Sequence, residues 1–113
     1  MAENETPLEK LRKIAEKLGV PYAIDKYVGP ATSFAVYAMS GVTGTEFADD
    51  RAQEHIANVR FDYIMPNSKN FTAKLFEILD LLVDVGFAEP QVVIVNDEAN
   101  KSHILQFTTE ILV

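Results

Sequence analysis

The sequence predicts an α+β fold: an antiparallel (mixed) β-sheet with two helices packed on one face, in the order α-β-β-β-α-β-β. Three observations lead there. The strand-like segments alternate apolar and polar residues, giving the sheet a core face and a wet face. They come in runs joined by short turns rather than alternating one by one with helices, the arrangement of an antiparallel sheet. The stretch Asn67–Gly86, NSKNFTAKLFEILDLLVDVG, is apolar over far more of its circumference than one core-facing stripe requires. A chain of 113 residues with seven Phe and 48% hydrophobic residues can bury one core, so a single domain over residues 6–113 is expected. Residues 1–5 are read as a disordered N-terminus.

Taken in order, Thr6-Pro7-Leu8-Glu9 starts the first helix. Thr6 is the N-cap, Pro7 takes N1 and Glu9 closes a capping box. Leu8, Leu11, Ile14, Ala15 and Leu18 share one face of this helix, and Gly19 ends it. Ala23–Val28 is a weak strand closed by Gly29-Pro30. Ser33–Met39 is a strand with apolar residues on both faces: Phe34, Val36 and Ala38 on one, Ala35, Tyr37 and Met39 on the other. Two-sided strands lie centrally or are covered by a partner. Gly41–Gly44 is expected to turn the chain, and the polar segment Thr45–Glu54 has no clear type.

A long strand, His55–Met65, then points Ala57, Val59, Phe61, Tyr63 and Met65 inward and leaves Asn58, Arg60 and Asp62 wet. The second helix is expected to be capped by Asn67 or Ser68 and to end at Gly86, roughly 19 residues against a mean near 11–12. Phe71, Leu75, Ile78, Leu82 and Val85 lie within roughly 40° of one direction. Phe76, Leu79 and Val83 widen that stripe on one side and Leu81 on the other, leaving a narrow acidic strip of Glu77, Asp80 and Asp84. The arc is about twice the ~100° that a two-layer domain uses, so a second layer or another subunit must cover the excess. Strands Gln91–Val95 and His103–Leu112, joined by the turn Asn96–Asn100, close the sheet with Leu105, Phe107, Thr109 and Ile111 inward.

Composition excludes several function classes. Without Cys there is no disulfide, thiolate metal site or thiol nucleophile. No apolar run reaches the ~18 residues of a membrane span, and the polar start MAENETPLEK is no signal peptide, so an intracellular soluble protein is expected. Ten bases against seventeen acids, net −7, argue against nucleic acid as a tightly held partner. Glu46, Asp49, Asp50, Glu54 and His55 form the one polar cluster worth testing for metal binding or acid–base work. Their spacing matches neither an EF-hand loop nor His-Glu-x-x-His, and the plain reading is a solvated loop. His103 reads as a surface residue. No phosphate loop or nucleophile elbow is present. No cofactor, metal or catalytic residue is expected.

The order of short motifs carries a family resemblance. Val20-Pro21-Tyr22, then Phe34-Ala35-Val36-Tyr37, then Phe47-Ala48-Asp49-Asp50, then Val59-Arg60-Phe61-Asp62-Tyr63 running into Tyr63-Ile64-Met65-Pro66-Asn67-Ser68-Lys69, then Gly86-Phe87, resembles the small tail terminator (tail completion, head–tail joining) proteins of long-tailed bacteriophages. The likeness spans roughly residues 8–112, although the family has a more aromatic strand where this chain has Ala35 and Ala38. It implies a structural protein of the virion tail, assembled in the bacterial host cytoplasm. Such a protein forms a ring, typically a hexamer, on the head-proximal end of the tail tube. There it stops tube growth and meets the head–tail connector protein. The resemblance offers no catalytic residue, and it gives the loop Phe47, Ala48, Asp49 and Asp50 no chemical role.

The residues agree with such a role on their own terms. An over-apolar helix and a two-sided strand suit a small domain that packs against its own copies, and Phe76, Leu81, Val83, Tyr37 and Met39 are the subunit-interface candidates. An acidic lumen would let DNA pass without specific binding. Another phage head–tail connector or tail tube component is the alternative. An unrelated small α+β binding domain or a metal-dependent enzyme is a further one.

Overall fold

The structure, a computed structural model, describes residues 5–44 and 55–113. Helix α1 (Pro7–Leu18) begins as the sequence predicts. Thr6 Oγ1 accepts from the Glu9 amide at 3.2 Å, and Glu9 Oε1 accepts from the Thr6 amide at 3.0 Å. Two otherwise orphaned donors are thereby satisfied at the helix start. Gly19 closes the helix at φ 73°, a left-handed conformation that costs glycine little. Leu11, Ile14 and Ala15 are buried along one face.

Five strands follow or flank the second helix: β1 (Tyr22–Ile24), β2 (Phe34–Gly44), β3 (His55–Pro66), then α2 (Thr72–Asp84), β4 (Gln91–Asp97) and β5 (Ser102–Leu112). They form one mixed sheet in the order β1-β2-β3-β5-β4. Only the β1–β2 pair is parallel, and the other three pairs are antiparallel. The fold is therefore the expected α+β one. Both helices lie on the sheet face that carries Ala35, Tyr37, Val59, Phe61, Tyr63, Leu105, Phe107 and Ile111, and Leu11, Ile14, Leu75, Ile78 and Leu82 complete that core. Lys10 Nζ also donates to the Val85 carbonyl at 3.1 Å, tying α1 to the end of α2.

Three boundaries differ from expectation, each for a physical reason. The first strand is shorter than Ala23–Val28, because Asp25 takes φ 68° after its amide donates to the Tyr37 carbonyl at 3.0 Å. Gly41–Gly44 does not turn the chain. β2 runs through it, pairing Gly41 with Asn58 and Gly44 with His55, after a bulge between Met39 and Gly41. Ser40 is the extra residue, and its Oγ donates to the Asn58 carbonyl at 3.2 Å.

Helix α2 is shorter than the Asn67–Gly86 reading: 13 residues, whose N-cap residue is Phe71, with no capping side chain of its own. The Asn67 amide is committed to the Lys101 carbonyl at 2.9 Å, and Lys69 folds back on the Pro66 carbonyl in a tight turn. Asn70, rather than Asn67 or Ser68, accepts from the Thr72 amide at 2.8 Å. At the far end Gly86 has φ 107°, a value L side chains rarely take, so the expected glycine stop is present.

Candidate assembly surfaces

Along α2 the apolar arc divides in two. Leu75, Ile78 and Leu82 are buried, and Phe71, Leu79, Leu81 and Val85 are half-buried against the core. Phe76 and Val83 remain 58% and 43% exposed. Of the five interface candidates, Phe76, Val83 and Met39 present apolar surface, and Leu81 presents part of its side chain. Tyr37 does not. It is buried in the core beside Phe61, ring centroids 6.3 Å apart, because the inward face of β2 lies wholly beneath the helices at that point.

Among the described residues no helix lies on the opposite face of the sheet, yet that face is far from polar. Phe34, Val36 and Ala38 of β2 lie beside Ile64 of β3 and Ile104 of β5, with Val93 and Val95 of β4 at the edge. The loop 25–33 folds back over one corner, where Tyr27 stacks on Phe34 at 4.4 Å. Beside it opens a cleft of about 590 Å³ walled by Phe34, Ile64, Pro66 and Ile104 and rimmed by Asn67 and Lys101.

Asp62 sits on this face, opposite Val36 and Gln106, and is only 7% exposed. The alternation of β3 predicted a wet residue here, and the structure corrects that. Arg60 Nε donates to Oδ2 at 3.1 Å, whereas Oδ1 is buried with no partner. Burial pushes the Asp62 carboxyl above its ordinary value, and the Arg60 charge and hydrogen bond pull part of the way back. His103 is likewise not a plain surface residue. It is half-buried, with its ring edge-on to Phe71 at 4.9 Å and its Nδ1 buried without a partner.

Strand Gln91–Val95 is present as expected and runs on to Asp97, but none of its residues was among the interface candidates. Val93, Ile94 and Val95 are all exposed, although the run Val92–Val95 is the one place where four apolar β-formers follow one another in an edge strand. That run without alternation was the available signal. The motif loop Phe47, Ala48, Asp49 and Asp50 lies outside the described residues, as does the Glu46–His55 cluster apart from His55, which is exposed. Among the described residues no three His, Asp or Glu side chains are grouped to hold a metal ion. No described helix is long and apolar enough to cross a membrane. No family model matches the chain, and no curated protein matches it either.

Proposed function

We propose that this chain is the subunit of a structural ring, a homo-oligomer and in the simplest case a hexamer. The ring closes the head-proximal end of a phage tail tube and joins it to the head connector. One observation carries the reading: α2 is apolar on two faces, with Leu75, Ile78 and Leu82 in the core and Phe76 and Val83 exposed. A monomer gains nothing from the second face, whereas a subunit buries it against its neighbour. The motif order running from Val20-Pro21-Tyr22 to Gly86-Phe87 supports the tail terminator assignment in particular. In this reading the protein has no catalytic task, needs no cofactor and resides in the virion tail. The net charge of −7 gives DNA sliding through the ring a like-charged wall to which it does not adhere.

Sedimentation and negative-stain imaging of the concentrated wild-type protein test the proposal. Closed rings with a hole wide enough for a DNA duplex are the expected result. A strict monomer at every concentration, or a plain dimer, would overturn it.

A further inference from the structure

β4 is an edge strand of the sheet, and among the described residues nothing covers that edge. Natural sheets blunt their edges with Lys, Pro, bulges or covering elements, because a bare row of N–H and C=O groups recruits other strands. β4 pairs with β5 in unbroken register from Gln91 to Asp97, with no Lys, Pro or bulge along it. Val93 on the open face is 56% exposed and Ile94 on the helix side 44%, so neither face of the strand is fully covered. Four consecutive apolar β-formers on a bare edge are costly to leave in water and prone to uncontrolled pairing.

The chain carries a second bare edge of matching length. β1 pairs only with Ala35, Val36 and Tyr37 of β2, so residues 38–44 have no strand outside them among the described residues. This edge too shows exposed apolar side chains, Met39 and Val42, and no charged residue. Charge favours the match. Copies of net charge −7 repel one another overall, whereas residues 91–96 and 38–44 are neutral.

We infer that β4 of one copy adds to residues 38–44 of β2 in a second copy, so that neighbouring sheets run on into one another. The inference rests on the ring reading and assigns to it a strand contact beside the one made by Phe76 and Val83. Strand directions fit, since each of the steps β2–β3, β3–β5 and β5–β4 is antiparallel. In a neighbour placed by rotation about an axis along the strands, β2 is therefore antiparallel to β4. Matching faces fixes the parity, because paired residues share a side of the sheet. Asp97 then opposes Ala38, Ser40 stays bulged as it is against β3, Ile94 meets Val42 on the helix side and Val93 meets Thr43 on the open side. The two edges differ, so the contact is head-to-tail and can close a ring. Pairing β4 with β4 would stop at a dimer and leave the β2 edge bare.

The absence of Cys makes cross-linking a clean test. Two double variants are oxidised in the assembled state: Ile94→Cys with Val42→Cys, and Val93→Cys with Thr43→Cys. Adjacent antiparallel pairs alternate between closer and wider spacing, so one of the two is well placed for a disulfide. A reductant-sensitive ladder of covalent oligomers from either pair, with Ile94→Cys or Val42→Cys alone giving none, is the expected result. Dimers from Ile94→Cys alone would show β4 pairing with itself and overturn the inference. Ring-sized particles with no cross-link from either pair would overturn it too, while leaving the ring intact. A wild-type monomer in sedimentation would remove both.

Discussion

Asp62 holds a carboxylate on the sheet face opposite the helices, with one oxygen on Arg60 and the other buried without a partner. Its folded pKa lies above the unfolded value of 3.8, mainly through loss of water and only partly offset by Arg60. The folded chain therefore holds the proton more tightly than the unfolded chain does. This group favours folding most at pH below 3.8, and its contribution is lost as pH rises through the folded pKa. Asp62→Asn keeps a carbonyl for Arg60 and removes the titration. The stability of the variant relative to wild type should accordingly rise between strongly acidic and neutral pH, as read from urea midpoints. A difference that falls with pH would show that Arg60 outweighs the burial, and a flat one that the two cancel; either would overturn this assignment. Nothing local in the sequence announces this residue, because alternation along β3 reports which face a side chain takes and not what else lies on that face.

For single elements, legibility depended on how local the deciding interaction was. α1 was readable to the residue because its cap joins Thr6 to Glu9 and its stop is Gly19 beside Glu16. The start of α2 was not, since Asn67 belongs to the end of the sheet, its backbone N–H donating to the Lys101 carbonyl at 2.9 Å, and the helix begins only at Thr72. The Ser40 bulge hid in the same way: Gly41 and Gly44 carry turn chemistry, but pairing with β3 holds them extended. The division of α2 into two apolar faces was legible, while the burial of Tyr37 in the core was not, since the alternation that marked β2 as two-sided does not say which side the helices take. The divided arc yields a contrast. Ile78→Ala or Leu82→Ala should cost about 2–5 kcal/mol, because each empties a fully buried site. Phe76→Glu and Val83→Glu should leave the circular dichroism spectrum and melting of the monomer nearly unchanged while weakening assembly in sedimentation. Leu81→Glu, half-buried, should do some of each. Unfolding by both Phe76→Glu and Val83→Glu would return the whole helix to the core.

For the whole molecule, charge and shape set how copies meet. Copies of net −7 repel, and salt screens that repulsion over about 10 Å at 0.1 M and about 3 Å at 1 M. Assembly through neutral and apolar surfaces should therefore tighten as NaCl rises over that range, seen as a lower concentration at half-assembly in sedimentation. Dissociation by salt would instead mean that opposite charges hold the copies together. The strand order has a kinetic corollary. β2–β3 and β4–β5 each join neighbours in sequence, but the sheet is completed only where β3 meets β5 across the intervening α2, with Ile56 opposite Leu112 and Pro66 opposite Ser102. Closing that seam spends loop entropy before its contacts form, and domains rich in such non-local pairing fold on the order of milliseconds to seconds rather than microseconds. A chain with this seam unclosed would hold two separate halves of the sheet, each with its inner edge open. The Phe61–Phe107 contact, ring centroids 6.5 Å apart, spans this seam, so with its closure as the slow step substitutions there should slow folding more than changes within either hairpin.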